Sequence, residues 1–300
     1  MQKTIVTILS TNYAGSHFLS LLLGSHSRAC HIGELRRVVE GRAMAREVSF
    51  CHLCNPQSDC PTIRGLTRAP AESTYATVFE NFAALGRHPQ ALIDASKRVE
   101  WASRFVNQST YRFKYIHLIR DPRALVRRDI LNKSDFWRRV HARRQAAFRG
   151  PKVRLSLLIA PMWKVSLCKW YNKNVEIAEF LQRHGCDTQV VTYRDLATDT
   201  AGELRRLDAW MGLPFEPAQI EYWQFDHHGS QKINYDWIKQ QKRTGYFDLR
   251  WKEFFSAEIA AAIACDADVT RLLSRLSLKL DDIGLTRKPS GAMASPTKAA

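Results

Sequence analysis

Four groups of residues in this chain of 300 carry side chains that could do chemistry. The first is the loop Ser10-Thr11-Asn12-Tyr13-Ala14-Gly15-Ser16-His17, set between two apolar runs. Loop N–H groups and the N-terminus of a following helix can cradle a phosphate-like anion, and the helix dipole favours its negative charge. The second group is Glu34, Lys97 and Arg120, each just beyond a short apolar run: a carboxylate beside the cradle and two cations that could meet an anion. A guanidinium such as that of Arg120 forks well onto phosphate. The third is a basic belt of Arg127, Arg128, Lys133, Arg138, Arg139, Arg143, Arg144, Arg149, Lys152 and Arg154, which reads either as contact with an acidic substrate or as a solvated helix face. The fourth is Cys51-x-x-Cys54 with Cys60 nearby. The spacing is that of a zinc knuckle, with a fourth ligand to come from Cys30, His31 or His52; an ordinary loop with free thiols is the alternative.

The loop is not a Walker A sequence. G-x-x-x-x-G-K-[ST] supplies a Lys for the terminal phosphates and a Ser/Thr for magnesium, and no Lys follows Gly15 here. A magnesium-dependent NTPase is therefore a poor reading.

These residues need elements to hold them. Ile5 to Leu9 is long enough for one buried strand, and Phe18 to Leu23 reads as a helix stopped by Gly24. Ala29 to Ile32, Ala91 to Ile93, Phe113 to Ile119 and Thr188 to Tyr193 read as further strands. In open α/β sheets ligands sit at the carboxyl ends of the strands, which is where Glu34, Lys97 and Arg120 fall. Pro122 suits the first turn of a helix and Asp121 before it is a good N-cap, so a helix over Ala124 to Leu131 holds Arg120 at a strand-to-helix junction. Other helices are expected over Leu35–Arg46, Thr74–Leu85, Trp101–Gln108, Met162–Leu181, Ala201–Met211, Ala257–Ala264 and Asp268–Leu276. Gln224 to Lys232 reads as a polar loop. The organisation expected is one α/β domain over residues 1–285, with a Cys-rich insertion at about 48–72, and a disordered tail over 286–300.

Composition sets the class of partner. A chain 45% hydrophobic and 25% charged is ordinary for a globular protein, but a net charge of +16 asks for an anionic partner such as a nucleotide or an acidic glycan. No secretory signal and no membrane-length apolar run is visible. Seven cysteines, an odd number, fit a reducing cytoplasm better than a disulfide framework.

The motifs occur in an order that resembles the sulfotransferases using 3′-phosphoadenosine 5′-phosphosulfate, especially the bacterial and Golgi-like branch that includes the protein-tyrosine sulfotransferases. The resemblance spans roughly residues 4 to 265. The family's 5′-phosphosulfate loop, R-S-G-[ST]-T/S-L-L, falls on Tyr13 to Leu19, and its Gly-Glu after the second strand on Gly33-Glu34. The Lys after the third strand falls on Lys97. The 3′-phosphate motif R-D-[PG]-R-A falls on Arg120 to Ala124 and is the most specific match. Y-E-D-L … F-L-G-L-P reads here as Tyr193-Arg194-Asp195-Leu196 … Trp210-Met211-Gly212-Leu213-Pro214. The Cys-rich insertion and Asp248-Leu249-Arg250-Trp251 also look like bacterial members.

The resemblance implies a P-loop-kinase-like three-layer fold with about five parallel strands and no catalytic metal. It implies Glu34 as base, with Lys97 and His17 beside it, and a donor held by Asn12, Tyr13, Ala14, Gly15, Ser16, His17, Phe18, Arg120, Arg128 and Tyr193. The acceptor would be a hydroxyl or amine of a glycan, lipid or other metabolite. Nucleic acid is not expected as a partner, and a homo-oligomer is left open. Two positions depart from the family: Tyr13 replaces the loop Arg or Lys, and Arg128 replaces a Ser. The rival readings are a small-molecule kinase on the same fold and a non-catalytic binder of nucleotides or acidic glycans.

Overall fold

Val6 and Ile8 point to one face of the first strand and Ile5 and Leu9 to the other, and all four are completely buried. A strand apolar on both faces belongs inside a parallel sheet covered by helices. The computed structural model describes residues 2–40, 51, 54, 60–66, 70–133, 135–148, 153–228 and 247–288. From β1 (Thr4–Ser10) the chain runs through α1 (Ser16–Gly24), β2 (Ala29–Gly33), α2 (Leu35–Val39), α3 (Ala71–Ala84), β3 (Ala91–Lys97), α4 (Val99–Ala102) and β4 (Arg112–Ile119). It continues through α5 (Pro122–Leu131), α6 (Phe136–Phe148), α7 (Met162–Arg183), β5 (Thr188–Thr192), α8 (Tyr193–Thr198) and α9 (Thr200–Met211). After a 3₁₀ stretch at Pro217–Gln224 come α10 (Trp251–Phe254), α11 (Ala257–Ala264), α12 (Ala267–Arg275) and the hairpin β6 (Leu278–Leu280)–β7 (Leu285–Arg287).

Strands β1 to β5 form one parallel sheet in the order β2-β3-β1-β4-β5, the P-loop-kinase-like arrangement expected. α1, α9 and the 3₁₀ stretch pack on Val6 and Ile8. α3, α4 and α7 pack on Ile5 and Leu9. The chain switches sides at β1, so the carboxyl ends of β3, β1 and β4 frame the crevice where such sheets bind ligands. None of the described helices is long and apolar enough to cross a membrane.

Several boundaries differ from those expected, for physical reasons. β3 continues past Ile93 because Asp94 is fully buried yet satisfied by internal donors. The helix expected over Trp101–Gln108 is the single turn α4; beyond it, Arg104, Phe105 and Gln108 donate to carbonyls three residues back, the tighter turn geometry. Gly24 is the last residue of α1, as expected, and a Cβ there would sit 2.5 Å from the backbone nitrogen of His31, so this glycine also lets helix and β2 approach. α2 ends at Val39, and residues 41–46 of the helix expected there lie outside the described residues. β7 carries the fold past residue 285: Asp195 accepts from Arg287 N (3.1 Å) and Thr286 Oγ1 (2.5 Å), and Lys288 N donates to Ser277 O. The remainder of the expected tail lies outside the described residues.

Candidate active site

The loop after β1 turns through two residues in the left-handed region, Tyr13 (φ 65°) and Gly15 (φ 103°). Gly15 is required twice over. Its φ suits glycine, and a Cβ there would lie 2.3 Å from the Tyr193 ring. Gly15 caps α1 without any side-chain hydrogen bond to the first turn, so the helix N-terminus presents uncapped N–H groups. Ala14 and Ser16 are buried, whereas Asn12 and Tyr13 are exposed. Ser10 Oγ, Thr11 Oγ1 and His17 Nε2 are buried without a hydrogen-bond partner. Buried polar atoms are normally satisfied, so these three, clustered along the strand–loop–helix junction, fit a site that takes a polar ligand. Phe18 packs edge-on against Tyr193 at 6.4 Å.

Glu34 and Lys97 come together through two irregularities in the sheet. Between His31 and Gly33, β2 carries an extra residue relative to β3, and between Asp94 and Lys97, β3 carries one relative to β1. Bulges of this kind re-aim side chains near sites, and Lys97 itself takes φ 64°. The result is a contact of 2.7 Å from Lys97 Nζ to Glu34 Oε1. His17 Nε2 lies 3.6 Å from the same oxygen, and Arg37 lies 3.9 Å from Oε2. Burial pushes the Glu34 carboxyl up, but Lys97, His17 and Arg37 outweigh it and hold the pKa below its ordinary 4.5. Burial lowers the Lys97 pKa against the pull of Glu34. Burial, with Lys97 and Arg37, lowers His17 to about 4, so its imidazole is neutral at pH 7. A carboxylate kept ionised in this setting can accept a proton once its cation moves toward another anion.

Asp94, the other acid at this strand end, is occupied. Its Oδ2 accepts from Tyr75 OH and Trp101 Nε1, both at 2.8 Å, and its Oδ1 from Ser96 N at 2.8 Å and from the Ser96 hydroxyl. Four donors on a fully buried carboxylate make it a brace for β3, α3 and α4.

On the other side of β1, the Arg120-Asp121-Pro122-Arg123 motif divides in two. Asp121 caps α5, accepting from Arg123 N at 2.8 Å, a contact worth about 1 kcal/mol. The Arg123 side chain turns inward, forking onto Asp121, donating to Asp281 O and lying 3.9 Å over the Trp251 ring. Arg120 turns toward the cradle. It donates to Tyr13 O at 3.0 Å, lies 4.2 Å over the Tyr193 ring and stands 3.5 Å from Asp248 Oδ2. Burial lowers its pKa; Tyr193, Asp248 and Asp121 pull the other way. Arg128 is exposed, with its guanidinium 5.0 Å over the Tyr13 ring. Tyr13 thus contributes no charge of its own but draws two arginines to the loop, one by its carbonyl and one by its ring. A small pocket here is lined by Arg120, Tyr193, Arg194, Phe247 and Asp248, among others.

Among the described residues of the belt, several are engaged away from this site. Arg138 pairs with Asp135, Arg139 donates to Lys133 O and Arg143 to Ala160 O; Arg149 and Lys152 lie outside the described residues. Cys51, Cys54 and Cys60 do come together, joined by His228. The fourth member is thus neither Cys30, which lies in the core beneath α2 and α3, nor His31, whose Nδ1 contacts the Ser20 hydroxyl; His52 lies outside the described residues. Sequence reasoning missed His228 and Asp248 as partners. The only available signals were two adjacent histidines in a polar loop and the Asp-x-Arg-Trp pattern, neither of which names a partner.

No protein-family model matches the chain, and no curated protein matches it. Solved structures do. A sulfotransferase domain from the curacin biosynthetic pathway superimposes with a TM-score of 0.54 at 16% identity, over 93% of this chain and 99% of that one. A sulfotransferase domain from the olefin synthase of Synechococcus PCC 7002 gives 0.50 at 16% identity, over 93% and 96%. With the sheet order and the strand-end constellation already described, these matches give the chain the fold of the sulfotransferases.

Proposed function

We propose that the protein transfers a sulfuryl group from 3′-phosphoadenosine 5′-phosphosulfate to a hydroxyl or amine. The observation that carries this reading is the ionised Glu34 held 2.7 Å from Lys97 beside an uncapped α1 N-terminus that lacks a P-loop lysine. In the proposed reaction the acceptor oxygen or nitrogen attacks sulfur in line, and the bond from sulfur to the bridging oxygen of the 5′-phosphate breaks. Glu34 takes the acceptor's proton, and the 3′,5′-bisphosphate leaves. Lys97 shifts from Glu34 to the bridging oxygen, which stabilises the leaving group and frees the base. Ser16 and the N–H groups of the loop meet charge on the sulfuryl oxygens, the preorganised stabilisation that is usually the largest contribution. His17, neutral and adjacent to Glu34, orients the acceptor by hydrogen bonding. Arg120 and Arg128 take the 3′-phosphate, and Tyr193 positions the Gly15 turn and the Arg120 guanidinium. None of the seven cysteines is in a disulfide, which fits a cytoplasmic setting.

The test is calorimetry with 3′-phosphoadenosine 5′-phosphate, with and without a chelator, followed by label transfer from the sulfate donor in a fractionated cell extract. Metal-independent binding and a labelled acceptor are expected. Binding that requires magnesium would instead point to a kinase, and tight binding without transfer to any acceptor would leave a nucleotide-binding protein.

A further inference from the structure

The arrangement of Cys51, Cys54, Cys60 and His228 has a geometry that hydrogen bonding does not explain. The four ligand atoms all lie within 4.8 Å of one another. His228 Nδ1 is 3.7 Å from Cys51 Sγ, 3.4 Å from Cys54 Sγ and 3.8 Å from Cys60 Sγ. An imidazole nitrogen has one lone pair or one proton and can make one good hydrogen bond, yet here it stands almost equidistant from three sulfurs. A tetrahedral ion does explain it. With Zn–S of about 2.3 Å and Zn–N of about 2.0–2.1 Å, the nitrogen-to-sulfur edges of the tetrahedron are about 3.6 Å.

We infer that these four residues bind one zinc ion in a closed, structural site. Three thiolates and an imidazole are soft and borderline ligands, suited to zinc and unsuited to magnesium or calcium. Four protein ligands leave no open position for water or substrate, so the ion has no catalytic role. Its role is to join distant parts of the chain. His228 is separated from the three cysteines by 177, 174 and 168 positions. Its neighbour His227 is fixed separately: its Nε2 lies 2.9 Å from Tyr222 O and 3.2 Å from Ser25 Oγ, and its ring meets His31 edge-on at 5.8 Å. His227 therefore anchors the end of the 3₁₀ stretch to α1 and β2, while His228 reaches the cysteines.

Cys51 and Cys60 are fully buried among Ile32, Leu35, Tyr75 and Trp101. Tyr75 and Trp101 are the side chains that hold Asp94, three positions before Lys97. The ion thus braces the back of the β2–β3 strand ends. This inference stands on the cluster alone and does not depend on the reaction proposed above.

The full chain, purified from zinc-supplemented cells without chelating steps, tests it by metal analysis, cysteine alkylation mapped by mass spectrometry, and cobalt substitution. About one zinc per chain is expected. Cys51, Cys54 and Cys60 should resist alkylation until a chelator is added, and the cobalt form should show the visible bands of a tetrahedral site with three thiolates. His228→Ala should weaken zinc binding by about tenfold or more, as loss of a ligand from a structural site requires. His228→Cys should restore full occupancy with a cobalt spectrum shifted to four thiolates, which separates ligand loss from misfolding. Metal-free protein with the three cysteines freely alkylated or disulfide-linked would overturn the inference. So would a His228→Ala variant that keeps zinc with an unchanged cobalt spectrum.

Discussion

Lys97 and Arg120 stand at the ends of the two strands that flank β1, and each faces a carboxylate, but the two pairs are built differently. Lys97 meets Glu34 at 2.7 Å, with both residues set by bulged strand ends and the lysine backbone itself in the left-handed region. Arg120 meets Asp248 at 3.5 Å and is otherwise held by a loop carbonyl and an aromatic face. In the first pair the backbone dictates the geometry. In the second, side chains and loops do, and the carboxylate contact is longer than a good charge-assisted hydrogen bond. The difference is a division of labour: the end where bonds would change is placed by backbone geometry, whereas the end that would grip the nucleotide is placed by side-chain and loop contacts.

The sharpest way to break this comparison is to mutate each side and ask which step suffers. Glu34→Gln and Lys97→Ala should each lower turnover by about a hundredfold or more, the scale for losing a general base or a charge-stabilising donor. Nucleotide affinity should stay within about tenfold, or 1.4 kcal/mol, when calorimetry is set beside the rate assay. Loss of affinity equal to the loss of turnover would make this pair part of the nucleotide grip.

Arg120→Ala should show the opposite pattern. Binding of 3′-phosphoadenosine 5′-phosphate should weaken by about 2–4 kcal/mol, as when one partner of a desolvated charge pair is removed. Most of that loss should vanish for a nucleotide without the 3′-phosphate. Equal losses for both nucleotides would assign Arg120 to holding the loop through Tyr13 O.

Gly15→Ala probes the turn that both sides share. The strained φ and the collision with Tyr193 should together cost about 1–3 kcal/mol, seen as a lower Tm and weaker nucleotide binding. Adding Tyr193→Ala should recover the steric part only; full recovery would mean the backbone conformation was not strained.

A smaller effect is expected at Asp248. Asp248→Asn removes the competitor for Arg120, so nucleotide affinity should rise by less than about tenfold, within the range of a partly exposed ion pair. A fall in affinity would mean that Asp248 positions Arg120 for the ligand.

The smallest response is to pH. Glu34 is held below its ordinary 4.5, so kcat/KM, which reports the free enzyme, should show no acid limb from this group between pH 7 and 5. Linkage has the same sign: stability contributed by a depressed carboxyl is present above 4.5 and is lost as pH falls through the lowered value. An acid limb near pH 6 that disappears in Glu34→Gln would show that the pairing with Lys97 is weaker than its geometry indicates.

Much of this was legible in local sequence. The apolar runs placed the five strands of the main sheet, because a strand buried on both faces must be apolar along its length. Asp121-Pro122 marked the start of α5, because a cap and a fixed φ act within one turn. Glu34 and Arg120, just past their strands, and Lys97, the last residue of β3, fell at the sheet's carboxyl edge for the same reason. Partners were not legible. Local sequence does not separate Asp94 from Glu34 as an acid near a strand end; the fold does, by placing Tyr75, Trp101 and Ser96 on the Asp94 carboxylate. Lys97 reaches Glu34 only because two bulges turn the strand ends, and nothing in residue periodicity records a bulge. Asp248 and His228 come from segments more than a hundred residues beyond Arg120 and Cys60. Backbone preferences and burial patterns act over a few residues and are written in order along the chain. Pairings between distant side chains exist only once the packed core has brought their elements together.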